Sequence, residues 1–136
     1  MVTRLKIHES AENYLETILV LHNQKGTVRS IDIANELGFS KPSVSVAMKN
    51  LRENGYITVS PEGSISLLPA GQEIADKIYE RHTLITDLLT ALGVDPEVAA
   101  EDACRIEHVI SAESFAAINR NFGRIFAELF GGGEAS

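Results

Sequence analysis

The feature that most restricts the fold is a change of hydrophobic period at Gly55. On its N-terminal side, two short segments are spaced as helices. The first starts behind Ser30, presents Ile33, Ala34 and Leu37, and stops at Gly38. The second has Ser40 as N-cap and Pro42 in its first turn, carries Val44, Met48 and Leu51, and ends at Asn54-Gly55. On the C-terminal side, Tyr-Ile-Thr-Val-Ser and Ser-Ile-Ser-Leu-Leu flank Pro61-Glu62-Gly63, two β-type runs around a tight turn. Helix, glycine turn, helix and hairpin in this order predict a helix-turn-helix with a wing.

The flanking segments extend the pattern. Tyr14, Leu15, Ile18, Leu19 and Leu21 predict a helix from Ser10 to a stop at Lys25-Gly26. After the hairpin, Pro69-Ala70-Gly71 leads into a long helix to about Leu92, with Ile74, Ile78, Leu84, Ile85, Leu88 and Leu89 inward. Asp95 caps and Pro96 opens a fifth helix through about Ile110, and Ser111 can cap a sixth from Ala112 to Phe130. The predicted fold is mainly α with a small β-hairpin wing. Residues 1–70 are expected to form a winged helix-turn-helix, 71–130 a second, helical domain, and 131–136 a disordered tail. The sixth helix carries Phe115, Phe122 and Phe126, more apolar surface than a lone surface helix needs, and is expected to face a second copy of the chain.

Length and charge narrow the function. A chain of 136 residues is too short for a large multidomain enzyme. No stretch approaches the roughly 18 apolar residues that span a bilayer, and the polar start lacks a signal-peptide core, so a cytoplasmic protein without membrane association is expected. The single cysteine, Cys104, excludes an intrachain disulfide. The net charge of −7 argues against nucleic acid until it is divided. Through Leu68 seven basic residues balance seven acidic ones, whereas from Pro69 five basic residues meet twelve acidic ones, 5 − 12 = −7. The neutral first part can meet phosphates and the acidic second part suits cations.

The second helix of the helix-turn-helix presents Ser40, Lys41, Pro42, Ser43, Ser45, Val46, Lys49 and Asn50 outward, with Arg52 further back. Hydroxyls, lysines and the positive end of a helix suit phosphate oxygens, and Arg29 ahead of the preceding helix can add another contact. No Arg, Gln or Asn stands early enough for obvious bidentate base contacts. Sequence reading is therefore expected to rest on van der Waals contact from Ser40, Pro42 and Val46 and on DNA shape. A solvated helix used for protein contacts is the competing interpretation.

In the fifth helix Cys104, Glu107 and His108 stand at i, i+3 and i+4, which places a thiolate, a carboxylate and an imidazole on one face. That mixture can hold a transition metal, whereas hard cations prefer oxygen alone. Asn13 and Glu16 stand at i, i+3 in the first helix, and His82 offers another imidazole. Each also has a plainer interpretation: Cys104 as a small hydrophobe, the Glu-His pair as a wet face, His82 as solvated.

NYLETI in the first helix, SKPSVSVAMKNL in the third, ERHTL in the fourth and EDACRIEHVIS in the fifth, in this order, resemble the iron- and manganese-dependent repressors of the diphtheria toxin repressor family. The likeness runs over about residues 8–130, to the short form without an SH3-like domain. The resemblance implies that Cys104, Glu107 and His108 are metal ligands, joined by Asn13 and Glu16 from the first helix and His82 from the fourth. Cys104 is similar to the iron branch and Glu16 to the manganese branch; Asn13 stands where the branches carry Met or Asp. Thr86 and Ala100 occupy the positions at which the iron branch places a Glu and a His of its ancillary site.

The implied activity is that of a metal-dependent repressor, a homodimer on a double-stranded DNA operator, activated by Fe²⁺ or Mn²⁺. Fe²⁺ is favoured because a thiolate is softer than a carboxylate. The expected mechanism is a population shift: a dication relieves the repulsion between Glu16 and Glu107, fixes the first helix, and sets the spacing of two recognition helices. Competing classes are a winged-helix regulator sensing a non-metal ligand, a protein-interaction module, and a metalloenzyme. No HExxH, phosphate loop or nucleophile-base pattern supports an enzyme.

Overall fold

A computed structural model of the chain describes the backbone of residues 2–129 and the side chains of residues 10–124, 127 and 128. The expected tail, Phe130 and the side chains of Ile125, Phe126 and Leu129 lie outside the described residues. The element order is α1 (Val2–Lys25), α2 (Ser30–Leu37), α3 (Lys41–Glu53), β1 (Ile57–Val59), β2 (Ile65–Leu67), α4 (Pro69–Ala91), α5 (Pro96–Val109) and α6 (Ala112–Leu129). The fold is mainly helical with one antiparallel hairpin, as the change of period predicts. Helix α1 begins at Val2 rather than at the expected Ser10, because no Gly or Pro precedes Ser10 to stop the helix from running towards the N-terminus. The chain divides into two compact units, Met1–Lys77 and Ile78–Ser136.

In the first unit Leu15 and Ile18 of α1, Ile33 of α2, Val44 of α3, and Ile57 and Ile65 of the hairpin close over one apolar core. Each fully buried side chain of this size contributes about 1.5–3 kcal/mol. The strands pair Ile57 with Leu67, Thr58 with Ser66 and Val59 with Ile65. Buried Val28, in the loop before α2, extends the ladder by accepting the Ile65 N–H at 2.7 Å. Gly38 ends α2 in the left-handed region at φ 70°, its N–H bonded to the Ala34 carbonyl, and so turns the chain into α3.

Two local details differ from expectation or escape it. Arg29, not Ser30, is the N-cap of α2: the Asp32 carboxylate reaches back to the Arg29 N–H at 2.9 Å and also receives Lys25 Nζ at 2.7 Å. An acid at the third helical position reaches back to the N-cap amide, the reciprocal half of a capping box, and so marks the helix start without a serine. At the start of α4, Leu68 N–H bonds to the Tyr56 carbonyl at 2.9 Å. The backbone there is so close that a Cβ on Gly71 would collide with the Tyr56 carbonyl oxygen. The first turns of α4, including core residue Ala75, therefore belong with the first unit.

In the second unit α4 buries Ile78 and Ile85, and α5 buries Ala99, Ala103 and Glu107. These three α5 residues recur every four positions, one stripe in which two alanines permit close approach and a carboxylate follows in line. Asp95 caps α5 by accepting the Glu97 N–H at 3.1 Å, and Ser111 caps α6 by accepting the Ser114 N–H at 2.9 Å, both as the sequence predicts. Of the apolar residues expected inward on α4, Ile74, Leu84, Leu88 and Leu89 are only half-buried, and so are Phe115, Ile118 and Phe122 of α6. Among the described residues no helix is long and apolar enough to cross a membrane.

Candidate metal centre and DNA-facing helix

Glu107 is a fully buried carboxylate, which is costly unless cations or strong donors surround it. Its two oxygens each face an imidazole: Oε1 lies 2.9 Å from His82 Nδ1, and Oε2 lies 3.3 Å from His108 Nε2. Both rings are largely covered, with side-chain exposures of 27% for His82 and 5% for His108, so bulk water does little to screen these contacts. His82 comes from α4, and Glu107 and His108 from adjacent positions of α5.

One turn before Glu107, Cys104 adds its sulfur, and donor atoms of His82, Cys104 and Glu107 all lie within 4.8 Å of one another. Donors bound to a single ion at about 2.0–2.3 Å each stand no more than roughly 4.6 Å apart, so these side chains fit one cation with minor adjustment. Thiolate, imidazole and carboxylate together suit a borderline transition metal. Cys104 is exposed, which leaves the cluster an approach from solvent.

Arg81, which spacing alone does not single out, precedes His82. Its Nη1 donates to the carbonyl oxygens of Glu107 at 3.2 Å and Ile110 at 3.3 Å. The only sequence signal for it is its place beside the histidine in ERHTL. Asn13 and Glu16 lie on α1 in the first unit. Glu16 is buried and Asn13 half-buried, and the Asn13 carbonyl accepts the Thr17 hydroxyl at 2.8 Å.

The first unit presents α3 with its apolar stripe, Val44, Met48 and Leu51, buried and its opposite face open. Lys41, Pro42, Ser43, Ser45, Val46, Lys49 and Asn50 are all exposed, and so is Arg29. Val46, at 60% exposure, is the large apolar side chain on that open face. Ser40 is the N-cap: its Oγ accepts the Ser43 N–H at 3.3 Å and donates to Ser43 Oγ at 2.9 Å. The Ser40 hydroxyl is thus used within the helix end, while the Ser43 O–H remains to be offered outward. Just before the cap, the Phe39 ring meets Tyr14 of α1 edge-on, centroids 6.0 Å apart at 72°. This contact orients the leading end of α3. Burial pushes the Tyr14 phenol above its usual range, so it stays neutral at ordinary pH.

A helix-turn-helix with a wing, followed by a helical unit with a cysteine-carboxylate-imidazole cluster, defines a DNA-binding regulator with a metal site. Residues 6–65 match the model of the iron dependent repressor N-terminal DNA binding domain, and residues 68–125 that of the iron dependent repressor metal binding and dimerisation domain. The chain belongs to the iron-dependent repressor family, whose members are metal-responsive, DNA-binding transcriptional repressors.

Among its relatives, the transcriptional regulator MntR of Salmonella typhimurium is 37% identical over 106 residues, covering 78% of this chain and 68% of that one. MntR of Escherichia coli is 34% identical over 123 residues, covering 90% and 76%. A solved manganese-dependent transcriptional repressor in complex with manganese superposes with a TM-score of 0.74 at 26% identity, over 83% of this chain. The chain spans about half of the length of such solved structures, 52% in that case.

Proposed function

We propose that this chain is a homodimeric repressor whose binding to a double-stranded DNA operator is activated by a divalent transition metal held by His82, Cys104, Glu107 and His108. The observation that carries this reading is the buried Glu107 carboxylate with an imidazole at each oxygen and a cysteine sulfur beside it. Asn13 and Glu16 are proposed as the ligands that α1 supplies, on the strength of the family resemblance and of the burial of Glu16. When bound, the metal supplies two positive charges and a fixed geometry for its ligands. The chain's own residues do the rest. Lys41, Lys49 and Arg29 meet phosphates, Ser43 and Ser45 add hydroxyl donors, and Pro42 and Val46 offer apolar contact to bases, with Ser40 ordering the leading end of α3. A protein acting on an operator works where the DNA is, and a cytoplasmic location is proposed on that ground.

Fe²⁺ is proposed as the activator because the Cys104 thiolate favours metals above Mn²⁺ in the usual affinity order. A manganese response is the second reading. It is favoured by the similarity to a repressor solved with manganese and to MntR proteins. The test uses purified protein stripped of metal and a duplex selected from a random pool by the metal-loaded protein. Binding is followed by fluorescence anisotropy as Fe²⁺, under anaerobic conditions, or Mn²⁺ is added, and then chelator. Metal-dependent, chelator-reversible binding is expected. Equal affinity with and without metal would leave a winged-helix regulator of another kind.

A further inference from the structure

The last carbonyls of a helix have no partners within it and carry its negative partial charge. At the end of α5 those carbonyls belong to the residues around the ligand cluster. The helix closes at Val109 with Ile110 as its cap, and the Glu107 and Ile110 carbonyl oxygens both receive Nη1 of Arg81, at 3.2 and 3.3 Å. The same guanidinium lies 5.4 Å from the centroid of the Phe115 ring on α6. One half-buried side chain on α4 thus grips the end of α5 and rests on α6.

The two neighbours Arg81 and His82 reach the same residue by different ends. His82 meets the Glu107 carboxylate, and Arg81 meets its backbone carbonyl. His82 is on α4, whereas Cys104, Glu107 and His108 are on α5, so any slip between these helices changes the spacing of the donors. We propose that Arg81 is a positioning residue for the metal centre: it locks α5 against α4 at Glu107, so that the donor atoms are preset before an ion binds. Arg81 is not itself a ligand, since a guanidinium has no lone pair to give. A lysine offers a point charge without the planar fork and substitutes only in part. The inference rests on the metal-binding reading above.

The experiment is a Co²⁺ titration of metal-free wild type, Arg81→Met, Arg81→Lys and Ile85→Val, following the thiolate-to-cobalt and d–d absorption bands, with thermal unfolding of each protein. Arg81→Met keeps the apolar stem and removes the donors. It is expected to weaken Co²⁺ binding by about 10–100-fold, the usual effect of losing a partner that orients a ligand, and to change the d–d bands. Arg81→Lys should fall between, and carries the test if Arg81→Met does not fold. Ile85→Val, a core change in the same unit, should lower the melting temperature without altering the spectrum. Affinity within twofold of wild type and an unchanged spectrum in the Arg81 variants would overturn the proposal, whatever their melting temperatures. A wild type that gives no thiolate-to-cobalt band would remove the metal-binding reading itself, and this inference with it.

Discussion

His82 Nδ1 stands 2.9 Å from Glu107 Oε1, a pairing between residues 25 positions apart in the chain. It joins α4 to α5 at a carboxylate with no exposure to solvent. A carboxylate so buried needs donors or a cation beside it, and two imidazoles and a cysteine sulfur are what the second unit gathers around it.

Replacing Glu107 by Gln keeps shape and removes the charge, and His108→Ala removes a donor. Each is expected to weaken metal binding by more than about 100-fold, since loss of an outer partner alone costs 10–100-fold. Metal-stimulated DNA binding should vanish while circular dichroism and the dimer mass by sedimentation stay near wild type. Wild-type-like binding of DNA by these variants without metal would contradict the switch.

Lys41 and Lys49 are exposed on the open face of α3, where phosphate contact carries no base information. Lys41→Ala and Lys49→Ala should weaken binding to all duplexes alike. The slope of log affinity against log salt should flatten by about 0.9 for each phosphate that is no longer neutralised. Unchanged affinity at moderate salt in both variants would show that this helix does not face DNA.

Cys104 is the soft donor of the cluster, so Cys104→Asp exchanges sulfur for oxygen and should shift the relative response towards Mn²⁺. The quantity to compare is the free concentration of each metal at half-maximal DNA binding, in wild type and variant, under anaerobic conditions. An unaltered Fe²⁺-to-Mn²⁺ ratio would show that sulfur does not set the preference.

At Gly71 an added methyl group must displace either the Tyr56 carbonyl or the first turn of α4. Gly71→Ala is expected to cost about 1–3 kcal/mol in urea unfolding despite its better helix propensity, as overpacking does elsewhere. A stabilised variant would show that α4 can start differently.

Hydrogen bonds from Lys25 and the Arg29 amide hold the Asp32 carboxyl below its usual range. The folded state therefore releases this proton more readily than the unfolded chain, and the contribution is complete above the ordinary carboxyl range. It is lost as pH falls through the lower folded value. Because Lys25 is half exposed, Asp32→Asn should cost under about 1 kcal/mol at neutral pH. Urea unfolding from pH 7 down to pH 3 should show the gap between the two proteins closing. A gap independent of pH would mean that the helix cap, not the charge, is what matters.

Features that rest on neighbours in the chain were legible in the sequence. The Ser40 cap with Pro42 behind it, the left-handed Gly38, the paired runs around Gly63 and the i, i+3, i+4 spacing of Cys104, Glu107 and His108 follow from bonds and side-chain directions within a turn or two. Even so, α1 runs beyond Ser10 and α2 is capped at Arg29, because a serine marks a helix start only where nothing better competes.

Other features depended on the tertiary fold, because they join residues with no local reason to meet. A Glu-His pair on a helix reads as a wet face, yet Glu107 falls on the Ala99-Ala103 stripe and is carried inward with it. His82 acquires its partner, Arg81 its two carbonyls and Phe39 its ring contact with Tyr14 only when separate helices pack. Residue type and spacing determined which chemistry was available, a soft and a hard donor on one helix face. Packing decided which donors converge, since burial and distance between helices are set by the whole core and not by any single segment.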